Sequence, residues 1–441
     1  MASARPGLIG KNSRYRKRWR LVVFRHTQLR LMFVFGGLVV GLCAVGFARF
    51  ADLASGGFGW IVGQSPWIPM ALTPFGFALS NWLARRYFPS SQGSGIPQVI
   101  AARALTDETE RHKLVSLRVA FGKVLLTAFG LLCGGSIWRE GPTVQLGASL
   151  MYFVGHLSPR RQRGLVLAGA AAGVAAAFNT PLAGIVFGIE EMSRSFETKT
   201  SGVVIGTVIC GGLVSLVLLG DYNYFGMHSI ALRGASVWLA VPLCGVFGGL
   251  VGGSFSWLVV AAAGPWPGRL GQNLKRRPVL FAALCGLVVA ACGLASDGTV
   301  YGTGYSQVLN MLDGASPPPA QFGVLKWLAT LFSTISGIPG GIFSPSLAVG
   351  AGLGRSLYDL TAAAPVQAMV VLGMVGYFAG VVQAPITAFV IVTEMTGDHA
   401  LLVPVMLAAL IGHSMSKLIC REGIYHALAH RYVQAAQNRT Q

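Results

Sequence analysis

Apolar runs long enough to cross a bilayer recur along this chain, for example at 31–48 and 279–295. A helical crossing takes about 20 residues. In lipid every backbone N–H and C=O needs a partner within the protein, which restricts a spanning chain to helices or a closed barrel. Runs of this length select helices, so the chain reads as an all-α membrane protein. Only 11% of its residues are charged, against about 25% in ordinary soluble domains, and no stretch reads as a separate soluble domain.

The net charge is +19, with nine Lys or Arg in residues 1–30 and no Asp or Glu before Asp52. Further basic clusters lie at Arg160–Arg163, at Lys275–Arg277 and, near the C-terminus, at Lys417, Arg421, Arg431 and Arg439. Basic residues that flank apolar spans read as cytoplasmic anchors, not as a nucleic-acid surface. The basic arm is too long for a typical signal peptide and lacks a small-residue cleavage site after it. The seven cysteines are scattered and odd in number, which gives neither a disulfide framework nor a metal spacing. His426 and His430 stand four apart without a convincing ligand set, so no metal and no cofactor is expected. HExxH and GxSxG patterns are absent from the sequence, which argues against an integral-membrane enzyme.

The chain repeats itself once. Glu140, Pro142, Gly169, Pro181 and Glu190 recur as Phe343, Pro345, Gly373, Pro385 and Glu394, at offsets of 203 or 204 residues. PLAGIVFGIEEM (181–192) matches PITAFVIVTEM (385–395). The expected organisation is a basic cytoplasmic segment 1–30, a first membrane repeat 31–220, an extracytoplasmic linker 221–235, a second repeat 236–432 and a short cytoplasmic tail 433–441. Basic termini on one side and a linker with only Arg233 on the other give each half an odd number of crossings. The halves are then inverted relative to each other, with the substrate site at the midplane between them.

Three Gly/Pro-dense stretches interrupt this apolar context: 93–97 (GSGIP), 134–142 (GGSIWREGP) and 337–345 (GIPGGIFSP). Proline breaks a helix interior, and irregular backbone at membrane depth survives only where it lines a cavity or is covered by protein. The second and third stretches run into small-residue helical patterns, so each reads as a loop feeding a broken helix. Helix N-termini expose unpaired N–H groups and about +0.5 of a charge. Several aimed at one point make an anion site without a buried cation that would hold the ion too tightly. The plainer reading, packing kinks, is weaker for three runs of which two are related by the repeat.

These stretches resemble the three signature motifs of the CLC chloride channel and transporter family, here Gly93–Pro97, Trp138–Pro142 and Gly341–Pro345. The likeness extends to FNTPLAGIVFGIEEM (178–192) and EGIYHALA near the C-terminus. It implies a homodimer in lipid with one pathway for chloride and protons per subunit. It implies anion-binding groups at Ser94, Gly95, Ile96, Arg139, Glu140, Gly141, Ile342, Phe343 and Tyr425, with the hydroxyls of Ser94 and Tyr425 on the central ion. Glu140 would be the gating glutamate and Glu191 the inner proton-transfer glutamate that marks exchangers; a passive chloride channel of the same fold is the alternative. Ser94 fits chloride better than nitrate, and its loop looks like the chloride type more than the fluoride type. One departure is Trp138, where the family usually has glycine, which places a large side chain by the outer vestibule. So few residues follow Tyr425 that paired cytoplasmic regulatory domains are not expected, a form that looks like a prokaryotic inner-membrane protein.

The residues carry part of this reading themselves. A carboxylate at the start of a helix, as at Glu140, is favoured by the dipole by about 0.3–1 kcal/mol, and so is an anion in the same place. Ionised Glu140 blocks the site; protonation frees it. Glu190 and Glu191 end an apolar run, where carboxylates are costly and usually functional. Glu190 matches Glu394, which points to a duplicated structural role such as bonding loop amides. Glu191 has no mate, since Met395 follows Glu394, and is the better candidate for the proton path. Phe343 stands at Glu140's place in the second half. Lys123 and Lys326, also matched, read as snorkelling anchors without an assigned role.

Overall fold

The computed structural model describes residues 9–158, 161–193, 201–220, 224–226, 236–266, 268–314, 316–398 and 400–440. Arg160, Arg233 and most of the 221–235 linker lie outside the described residues. The first half comprises α1 (Ile9–Gln64), α2 (Pro69–Arg86), α3 (Ile96–Ala104), α4 (Glu108–Leu114), α5 (Leu117–Leu132), α6 (Glu140–Gly155), α7 (Gln162–Phe178), α8 (Pro181–Phe187) with a π-helical turn (Gly188–Ser193), and α9 (Ser201–Leu219). The second comprises α10 (Ser236–Ala263), α11 (Gly268–Arg276), α12 (Pro278–Ala295), α13 (Tyr305–Asp313), α14 (Phe322–Ile335), α15 (Phe343–Thr361), α16 (Val366–Val382), α17 (Pro385–Thr396), α18 (Leu402–Ser416) and α19 (Ile424–Thr440).

Among the described residues, four apolar segments are long enough to cross a membrane: Arg30–Gln64, Glu108–Leu132, Trp238–Ala263 and Pro278–Ala295. The two runs that stand out in the sequence fall in the first and last of these. Other apolar helices, such as Gln162–Phe178 and Val366–Val382, are shorter than a full crossing.

Packing follows the repeat. α6 packs on α7 as α15 packs on α16, α1 on α9 as α10 on α18, and α5 on α6 as α14 on α15. Three pairs of equivalent elements join the halves, α2 with α12, α8 with α17 and α6 with α15. The matched glycines have a physical reason. A methyl group on Gly169 would lie 2.2 Å from the Gly147 carbonyl oxygen, and one on Gly373 would lie 2.4 Å from that of Gly350. Backbone meets backbone there, and no larger residue fits without parting the helices.

The halves also cap each other. The Glu190 carboxylate accepts the N–H groups of Ile386 (3.1 Å) and Thr387 (2.6 Å) at the start of α17. Glu394 in turn accepts those of Leu182 (3.3 Å) and Ala183 (2.6 Å) at the start of α8. The matched acids thus bond amides, as their pairing predicts, and each does so in the other half.

Between the matched acid and the matched methionine the first half has one residue more than the second, namely Glu191. The second half runs through this point as plain α-helix to Thr396, whereas the first widens into the π-helical turn Gly188–Ser193. A single inserted residue is what such a turn absorbs, and these turns recur at functional sites.

Candidate functional site

The three Gly/Pro stretches meet. The Gly93 N–H donates to the Ile338 carbonyl (3.1 Å) and its carbonyl accepts from Gly340 (3.0 Å). Trp138 and Gly341 exchange both backbone bonds, at 2.9 and 2.6 Å. The Ser136 hydroxyl lies 2.9 Å from that of Thr330, which anchors the second stretch on α14. Irregular backbone at membrane depth is therefore satisfied by other irregular backbone, as the absence of water demands.

Each stretch ends at a helix start. Gly95 caps α3 at φ +100°, a left-handed conformation that favours glycine. Arg139 caps α6, and Ile342 caps α15. The three starts crowd together: a methyl on Gly141 would lie 2.4 Å from the Ser94 hydroxyl oxygen and 3.3 Å from the Gly341 Cα. Phe343, fully buried, stacks on Tyr425 at 5.9 Å between ring centroids and so brings in the start of α19. The Tyr425 phenol lies beside the Ser94 hydroxyl, and apart from each other these two buried groups have no hydrogen-bond partner among the described residues. Two adjacent buried hydroxyls beside several helix N-termini form a pocket of donors in want of an acceptor.

Ser94, Gly95, Ile96, Arg139, Glu140, Gly141, Ile342, Phe343 and Tyr425 are thereby brought to one region. Two acids join them. Glu140 opens α6, is 1% exposed, and one carboxylate oxygen accepts a bond from the Ser344 hydroxyl in the first turn of α15. It therefore sits between the starts of two helices. Glu191, in the π-helical turn, is also buried, and the charges of both acids reach the Tyr425 phenol. The Arg139 guanidinium turns away from Glu140, donating to Asp52 (3.0 Å) and the Ala48 carbonyl (2.9 Å). Trp138 keeps the backbone pairing intact, while its ring stacks under Arg139 at 5.0 Å.

Two cavities flank this region. One, of about 530 Å³, is lined by Trp138, Arg139, Asp52 and Thr303 among others. The other, of about 280 Å³, is lined by Glu190, Glu191, Lys417, Arg421 and His426 among others. The second of these shows a neighbour of Glu191 that sequence reasoning missed, His426.

Lys123 and Lys326 are not snorkelling anchors. Both are fully buried. Lys123 Nζ donates to the carbonyls of Gly93 (2.8 Å) and Gln92 (3.4 Å); Lys326 Nζ donates to those of Val300 (2.8 Å) and Gly302 (2.7 Å). Each ties down the loop entering a short helix, α3 or α13. These loops are themselves repeat mates that the reading missed: Gly-Ser-Gly-x-x-Gln at 93–98 and Gly-Thr-Gly-x-x-Gln at 302–307. Gly304 caps α13 in the left-handed region, as Gly95 caps α3.

Gly141→Ala tests this contact. Its methyl has no room beside Ser94, and overpacking of this kind costs about 1–3 kcal/mol. The expected result is a roughly tenfold or greater fall in anion flux from liposomes, with the purified variant still monodisperse. An unimpaired flux would show that the loops do not form the pathway.

A family model described as voltage gated chloride channel matches residues 76–417. The fold is similar to that of a slow cyanobacterial Cl⁻/H⁺ antiporter, at TM-score 0.76 and 24% identity, over 93% of this chain and 99% of that one. It is similar to that of a CLC-type fluoride/proton antiporter, at TM-score 0.77 and 22% identity, over 92% of this chain and 98% of that one. A eukaryotic CLC transporter aligns at TM-score 0.75 and 19% identity, over 92% of this chain and 74% of that one. With the meeting of the signature loops and a family match over most of its length, this multi-pass helical membrane protein belongs to the voltage gated chloride channel family.

Proposed function

We propose that the protein exchanges chloride for protons across the membrane. The observation that carries this reading is the pair of adjacent buried hydroxyls of Ser94 and Tyr425 at the starts of α3 and α19, beside the starts of α6 and α15, with the charges of Glu140 and Glu191 both reaching the Tyr425 phenol. An anion there receives donors on several sides without a full positive charge. Glu140 competes for the same helix ends when ionised and yields when protonated. Glu191 passes protons towards the cytoplasm. In this reading both termini are cytoplasmic in the cell membrane, the larger cavity is the outer mouth, and the smaller is the inner one. The chain works as a homodimer with one pathway per subunit. The exposed leucines and valines on α9 and α18, Leu213, Val217, Val403 and Leu410 among them, supply an apolar face for such pairing.

The passive channel of the same fold is separated by flux. In liposomes a chloride gradient is expected to drive protons uphill; chloride movement with no proton movement would establish a channel. Replacing chloride by fluoride in the same assay tests the anion, and faster proton-coupled fluoride flux would overturn the assignment of chloride.

A further inference from the structure

The smaller cavity holds a group to which neither the motifs nor the proposed exchange assigns a role. His426 directly follows Tyr425 on α19 and is 8% exposed. Its Nε2 lies 3.0 Å from the Glu191 backbone carbonyl and 3.5 Å from the carboxylate oxygen Oε1 of the same residue. A carbonyl oxygen only accepts, so the bonded Nε2 carries a hydrogen. Both side chains line the same cavity. We propose that His426 relays protons between Glu191 and the water of this cavity. The inference rests on the reading of Glu191 as the inner proton carrier.

The surrounding charges explain why a relay is needed. Lys417 and Arg421 line the cavity. They share it with the carboxylates of Glu190, Glu191 and Glu422; close to the two cations a chloride is drawn in and a hydronium is repelled. A proton bound to a side chain beside a carboxylate avoids that repulsion. The other acids of the cavity are engaged: Glu190 holds the amides of α17, and Glu422 lies 3.1 Å from His430. His413 lines the same space from α18 but is not in contact with Glu191 among the bonds described. His426 is in contact with it.

The step balances simply. In the imidazolium the Nε2–H bond breaks as an O–H bond forms on the Glu191 carboxylate. The neutral ring keeps its Nδ1 hydrogen, turns Nε2 to the cavity and takes a proton there from a hydronium ion, which leaves as water. Exchange in the other direction reverses each step. An imidazole ring can take up and release a proton on a nitrogen, which suits both halves of this cycle. The 3.5 Å separation needs only a small side-chain rotation to become a hydrogen bond.

The competing explanation is that His426 merely braces the π-helical turn through the Glu191 carbonyl. His426→Gln distinguishes the two, because glutamine keeps an N–H donor and does not titrate. Chloride-driven proton flux and chloride flux are measured together in liposomes, with the inner pH varied from 5 to 8. His426→Gln is expected to lower proton flux at least about tenfold and to flatten its dependence on inner pH. His426→Ala is expected to lose proton flux likewise and to regain part of it when imidazole is supplied inside. A glutamine variant with the unmodified protein's proton rate and pH profile would overturn the relay, as would an alanine variant that imidazole fails to help. Glu191→Ala, run alongside, keeps the two ideas apart. If it still pumps protons, the reading of Glu191 fails; if it stops while His426→Gln does not, only the relay fails.

Discussion

Glu140→Ala is expected to reduce chloride-driven proton flux at least about 100-fold and to leave a chloride flux that no longer varies with pH. The carboxylate is buried at the first residue of α6 and bonded to Ser344 in the first turn of α15. It occupies the end of two helices, where an anion is favoured for the same electrostatic reason. Alanine leaves that position to chloride at all times, so nothing remains for a proton to displace. The check is chloride efflux from liposomes between pH 4.5 and 7.5, with proton movement recorded in parallel. A variant that kept the pH dependence of the unmodified protein would remove Glu140 from the gate. Glu140→Gln, which keeps the shape of the protonated acid, is expected to behave alike and shows that charge, not volume, is responsible.

Glu191→Ala is expected to bring proton flux down to the background leak while chloride flux stays within about threefold of its original value, since a proton carrier at this position contributes of the order of 100-fold or more. The two acids are separable because their surroundings differ. Glu140 lies against the helix starts proposed to hold the anion; Glu191 sits in the π-helical turn beside His426, on the smaller cavity. Removing it leaves the hydroxyls of Ser94 and Tyr425 and the helix ends in place. Equal loss of both fluxes would mean that Glu191 shapes the anion path instead.

Much of the site is legible in the sequence because lipid admits so few irregular segments. Gly93–Pro97, Trp138–Pro142 and Gly341–Pro345 stand out as places where helix cannot continue, and broken helices must satisfy one another. The mate of Gly93–Gly95 escaped notice because the register of the repeat slips ahead of α5 and α14, so Gly302–Gly304 is not at the offset that aligns the other markers. The buried lysines were misread because a long side chain near apolar residues fits two situations, reaching out to water or reaching in to loop carbonyls. Only the fold shows the carbonyls. His426 was invisible for a similar reason, since the partner that gives it meaning lies 235 residues away.

The crossed glutamates have a mechanical consequence. Glu190 and Glu394 act as rivets, each driven from one half into the other, and charge-assisted bonds of this kind hold by about 1.5–3 kcal/mol apiece. A rocking carrier, whose two bundles swing about a central hinge, would have to tear such rivets at every turnover. The proposed exchange is therefore expected to work within a held frame, like a turnstile in which only the arm that meets the traveller rotates.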